Sequence, residues 1–166
     1  MNVTHSIDAF ILRCLIRYCN YDTKTTIAKR TLIVNELASR DSSDMTDAML
    51  EVDKHCSSMG WIDITLLDSV PLCEIPSHIL ESLLKDVERM LSHKSFAILP
   101  VHDCFSCHPN NVTTMRKWYN EILARLSEST VLQWILRQLY DDPNLQLEIY
   151  PEPIGHLIRE ADYAIN

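Results

Sequence analysis

The sequence Phe96-Ala-Ile-Leu-Pro-Val101-His102-Asp103-Cys104-Phe105-Ser106-Cys107-His108-Pro109 joins two short apolar runs through a polar pair. Phe96 to Val101 has the length and composition of a strand, and Phe105 to Cys107 can pair back on it. Asp103 then falls at the tight turn between them. The expectation is a small antiparallel hairpin over about 96–108 with an acid at its tip. By itself an Asp at a turn is an ordinary turn former.

A second pattern overlaps the first. Cys104-Phe-Ser-Cys107-His108 has the spacing of covalent c-type haem attachment. That chemistry needs an oxidising, exported setting, and Asn2 through Ser6 is too polar to open a secretory signal. Zinc held by Cys104, Cys107 and His108 would need a fourth ligand, and no second close pair of Cys or His has a familiar spacing. The six cysteines are expected as reduced thiols, most of them in the core.

Outward from the hairpin the periodicity is helical. Ile7, Phe10, Ile11, Cys14, Leu15 and Tyr18 recur at three- and four-residue steps, predicting a helix with Ser6 as its cap. Further helices are expected over Ile27–Leu37, Asp44–Met59 ending at Gly60, and from Ser77 through Leu91. Trp61 to Val70 reads equally as a strand or an irregular connection. Beyond the hairpin, Val112–Leu126 predicts a long amphipathic helix. Thr130 should cap another, running to about Tyr140, and a final helical turn is expected near His156–Glu160.

The 166 residues fit one domain, and the apolar (46%) and charged (23%) fractions are those of a globular chain. Two glycines, Gly60 and Gly155, leave no Gly-rich phosphate loop or dinucleotide fingerprint. A net charge of −8 argues against a free-standing nucleic-acid binder, because phosphate neutralisation needs clustered Lys and Arg. No apolar run approaches the roughly 20 residues of a spanning helix, so an intracellular protein without membrane partners is expected.

In a wider frame, Val101 to Pro109 resembles the palm signature of phage- and mitochondrial-type single-subunit DNA-directed RNA polymerases, in which an apolar strand delivers His-Asp. A Ser or Cys, an aromatic residue and a second strand follow. Two more segments are similar to that family in the same order. Asn2-Val-Thr-His5-Ser6-Ile-Asp8-Ala-Phe-Ile-Leu12-Arg13 looks like its helix before the hairpin, and Leu157 to Asn166 looks like its C-terminal foot. The resemblance covers Asn2 to Arg13, Phe96 to about Leu139, and the last ten residues.

The resemblance implies an α+β, mostly α-helical fold with the hairpin packed on helices. The whole chain would be one palm-type segment: helix 1–22, helical insertion 23–95, catalytic hairpin and following helices 96–140, and foot 141–166. It implies Mg²⁺ bound by Asp103, with His102 beside it as a supporting catalytic group. It also implies nucleic-acid contacts by His5, Ser6 and Arg13, for which His5 could instead be a buried structural histidine, and a foot carrying Asp162, Tyr163 and Asn166. DNA template, RNA product and nucleoside triphosphates would be partners of the assembled enzyme, in the cytoplasm of a bacterial host if phage-encoded.

The family's other palm segment, with the second metal-binding Asp, is missing, and so is its fingers helix. One carboxylate cannot anchor a two-metal site well, so a further polymerase segment or subunit is the expected partner, without which the chain is inactive. The alternative expectation is a non-catalytic interaction module derived from a palm, with the acidic helical insertion binding another protein.

Overall fold

The computed structural model describes residues 3–40, 45–101, 104–148 and 154–162. Among these residues the fold is α+β and mostly helical, with a single two-stranded antiparallel sheet. No described helix is long and apolar enough to cross a membrane.

The chain divides into two compact units. The first gathers Met1–Thr23, His93–Glu128 and Tyr150–Asn166, three pieces far apart in sequence. It contains α1 (Val3–Cys19), β1 (Leu99–Val101), β2 (Cys104–Ser106), α6 (Val112–Glu128) and α8 (Gly155–Glu160). Helix α6 lies at its centre, packed against both α1 and α8. Trp118 of α6, almost fully buried, stacks on Tyr18 of α1 with centroids 4.5 Å apart and planes 4° from parallel. The Trp118 Nε1–H donates to His93 Nε2 at 2.9 Å, and the Tyr21 hydroxyl donates to the His93 carbonyl. Since His93 Nε2 accepts, its Nδ1 carries the proton and donates to the Lys94 carbonyl at 3.1 Å. Ile11, Leu15, Phe96, Ile98, Met115 and Ile122 complete this core.

The second unit comprises Lys24–Ser92 and Ser129–Ile149. Its elements are α2 (Thr23–Ser39, which begins at the boundary), α3 (Asp47–Met59), α4 (Leu66–Ser69), α5 (Ser77–Leu91) and α7 (Val131–Tyr140). Helix α5 buries Ile79, Leu80, Leu83, Val87 and Met90 along one stripe, as its periodicity requires. The Arg40 guanidinium fastens the end of α2 to the connection before α5, donating to the carbonyls of Leu72 at 2.6 Å and Ile75 at 2.7 Å. Gly60 ends α3 with φ +60°, and a Cβ there would meet the Thr130 backbone nitrogen at 3.0 Å. That close approach carries two hydrogen bonds, Thr130 N–H to the Met59 carbonyl at 3.1 Å and Thr130 Oγ1 to the Ser58 carbonyl at 2.9 Å.

Several local expectations are corrected. Ser6 lies inside α1, because the helix starts at Val3 and the apolar period marks the buried stripe rather than the first turn. Ser77 is the first helical residue of α5 and its hydroxyl accepts from Arg40 instead of capping. Thr130 precedes α7, but its hydroxyl goes to Ser58. Trp61–Val70 forms no strand: Asp63 Oδ1 accepts the Thr65 N–H at 2.8 Å, an Asx turn that leads straight into α4. Helix α7 lies outside the unit that holds the hairpin.

Charge follows the same division. The first unit has seven Lys and Arg against eight Asp and Glu, the second eight against fifteen. The acidity that argued against nucleic-acid binding therefore belongs almost wholly to the second unit.

Candidate catalytic hairpin

The hairpin begins where the chain leaves the core. The Phe96 N–H donates to the Cys19 carbonyl at the end of α1 at 2.8 Å, and Phe96 and Ile98 are buried. From there β1 and β2 pair in the register Leu99↔Ser106, Pro100↔Phe105 and Val101↔Cys104. Strand alternation puts Pro100 and Phe105 on one face and Leu99, Val101, Cys104 and Ser106 on the other. Phe105 is half-buried and its ring meets Tyr119 of α6, centroids 5.7 Å apart. Leu99 and Val101, on the opposite face, are 65% and 61% exposed. A two-stranded ribbon is marginal by itself, so the Phe105–Tyr119 contact and the Phe96 anchor are what seat it.

Tyr119 links the hairpin to α1. Burial raises the Tyr119 phenol above its ordinary value, and the nearby Asp8 carboxylate raises it further. Asp8, exposed on α1, is thus a described carboxylate close to the hairpin's support. It was quoted in the amino-terminal pattern but not assigned a role, since nothing in the local sequence indicates that it reaches Tyr119.

The expected catalytic pair, His102 and Asp103, lies outside the described residues, as do Tyr163 and Asn166 of the foot. His5, Ser6 and Arg13 all lie on exposed positions of α1. The buried-histidine alternative for His5 is thereby set aside. Arg13 Nε donates back to the Ala9 carbonyl at 3.3 Å. Asp162 is exposed just beyond α8.

The foot is held by residues the sequence reading passed over. Arg159 of α8 donates to both Glu128 oxygens and to Glu121 Oε2, while Arg125 Nε donates to Glu121 Oε1 at 2.8 Å. Burial pushes the Glu121 carboxyl up, but the hydrogen bonds and charges of the two arginines outweigh it and hold the group at about 2. Asn120 Nδ2 adds a bond to the Ala161 carbonyl at 2.8 Å. Gly155 is required by the same clamp, because a Cβ there would lie 1.9 Å from Glu128 Oε1. The signal was present in sequence as Glu121, Arg125 and Glu128, an i, i+4, i+7 charged stripe.

No three His, Cys, Asp or Glu side chains among the described residues lie together as a metal group. Cys104, Cys107 and His108, all described, therefore do not converge on a metal. Burial raises the Cys107 thiol, and it pushes Cys19 up to about 12 with Cys107 adding to the shift. Both shifts favour the protonated thiol.

Neither a protein-family model nor a curated protein sequence matches this chain.

Proposed function

We propose that the chain is the C-terminal palm part, or subunit, of a phage-type single-subunit DNA-directed RNA polymerase, contributing Asp103 as one Mg²⁺ ligand of a two-metal nucleotidyl-transfer site. One observation carries this reading. The segments similar to that family at the start and the end of the chain, and the central one as far as Glu128, are contributed to one compact unit, while most of the intervening insertion, from Lys24 to Ser92, and the rest of the central segment fall in the other. Convergence of that kind is not implied by three unrelated short patterns.

The hairpin register supports the same reading. Val101 pairs with Cys104, so His102 and Asp103 are all that joins the strands. A short connection on seated strands is how a carboxylate is held with its oxygens free for a hard cation. Bound magnesium would stabilise the attacking and leaving oxygens of phosphoryl transfer. The chain's own residues would supply one ligand and the stiff platform beneath it. The second carboxylate and the nucleotide-handling groups would come from the remaining polymerase segment or subunit, and the outward face of Leu99 and Val101 is apolar surface available to it.

Reconstitution tests this. The chain is combined with a polypeptide carrying the rest of a phage-type palm and fingers, and template-directed RNA synthesis is measured with and without Mg²⁺. Synthesis that needs both polypeptides and the metal is the expected result. Synthesis by the second polypeptide alone, or none from the stable complex, would count against the proposal.

A further inference from the structure

Helix α7 leaves much of its apolar stripe exposed. Leu132, Ile135, Leu136, Leu139 and Tyr140 recur at i, i+3, i+4, i+7 and i+8 and form one continuous apolar stripe, the pattern by which a helix normally turns toward its core. Leu132, Leu139 and Tyr140 of that stripe are 40%, 45% and 67% exposed, Ile135 and Leu136 are half-buried, and Val131 is the helix's one buried residue. The other faces are engaged. Trp134 meets His55 of α3 at 6.3 Å, Gln133 Oε1 accepts the Leu147 N–H at 3.2 Å, and Arg137 Nε donates to the Leu145 carbonyl at 2.8 Å.

The surroundings are acidic. Exposed Asp141 and Asp142 follow the stripe directly. Thr130 touches Ser58 and Trp134 touches His55, so α3 runs antiparallel to α7 on its Trp134 side, away from the stripe. The unit has fifteen Asp and Glu against eight Lys and Arg. Three of those eight cations, Lys29, Arg30 and Arg40, already pair with Asp68, Glu88 and Glu36.

We propose that the α7 stripe is a docking surface for an amphipathic helix of a partner protein whose apolar face is bordered by Lys and Arg. The apolar stripe supplies contact area, and the acidic border selects a basic partner and repels nucleic acid or an anionic membrane. The inference rests on the second unit alone and holds whatever the hairpin does.

The probe is an acetylated and amidated leucine–lysine helical peptide, with a leucine–glutamate peptide of the same apolar spacing as control. Fluorescence anisotropy should show the lysine peptide binding the full chain, at least about tenfold more weakly at high salt, and no binding of the glutamate peptide. Leu132→Ser with Leu139→Ser should cost tenfold or more in Kd. Asp141→Asn with Asp142→Asn, which keeps the local geometry, should also weaken it. Leu157→Ser, at an exposed leucine of α8, should leave it unchanged. Circular dichroism checks that each variant is folded. Binding that is blind to both the leucine and the aspartate changes, or equal for the two peptides, would overturn the proposal. So would a dimer in sedimentation that Leu139→Ser dissociates, since the stripe would then be covered by a second copy.

Discussion

Arg159 and Glu128 form a forked pair, with Nη1 on Oε1 at 2.7 Å and Nη2 on Oε2 at 2.8 Å. It ties α8 to the end of α6 and lowers Glu128 from the ordinary carboxyl value, chiefly through the Arg159 hydrogen bonds. Two-point pairing of this kind fixes geometry as well as charge. The C-terminal helix of the first unit is therefore held by a small number of replaceable contacts.

Gly155→Ala tests that hold without touching a charge. The new methyl would displace the Glu128 carboxylate from its place against Gly155. The expected loss is about 1–2 kcal/mol in urea unfolding, similar to Arg159→Ala. The double variant should lose little more than Arg159→Ala alone, because that change already removes the Arg159–Glu128 pair along with the bond to Glu121.

The same clamp sets an acid limit. Glu121 sits at about 2, below the ordinary 4.5, so its pairing stabilises the folded state fully above roughly pH 4.5 and is lost as pH falls toward 2. Arg159 is about one-third exposed, so solvent screening reduces the contribution to roughly 2 kcal/mol. Thermal unfolding followed from pH 6 to pH 2.5 should show a fall that Glu121→Gln largely removes.

Trp118→Phe should cost about 1–2 kcal/mol, measured by denaturant unfolding, because His93 Nε2 loses its donor in a part-buried setting. Stacking on Tyr18 is retained by the smaller ring, so the fold should persist.

Tyr119→Ala should loosen the hairpin in particular. It removes the ring under Phe105, at a cost of about 0.5–1.5 kcal/mol beyond the buried area lost. Amide exchange should accelerate at Leu99–Ser106 more than in α6. Uniform acceleration would show that the hairpin has other support.

The helices were legible where one stripe is apolar: α1, α5 and α6 follow directly from residues such as Leu15, Leu83 and Ile122. The hairpin followed from the apolar runs on either side of His102-Asp103. Helix ends were less legible, because Ser77 and Thr130 have capping chemistry but spend their hydroxyls on distant partners. The strand alternative at Trp61–Val70 failed because Asp63 organises a turn that β-branched composition does not reveal. Periodicity also showed that α7 is amphipathic, but not that Leu132, Leu139 and Tyr140 of its apolar stripe are exposed. The foot's clamp was missed because Arg159 reaches residues 31 and 38 positions away. For the candidate site, the pattern named Asp103 and His102, whereas the Phe105–Tyr119 seat depends on tertiary packing.

The most direct measurement is template-directed RNA synthesis by the reconstituted complex, wild type against Asp103→Asn, at equal loading and with complex formation verified. A metal-ligating carboxylate predicts a fall of about 10³-fold or more with the complex intact. Undiminished synthesis by the Asn variant would contradict the assignment of Asp103 and with it the polymerase reading.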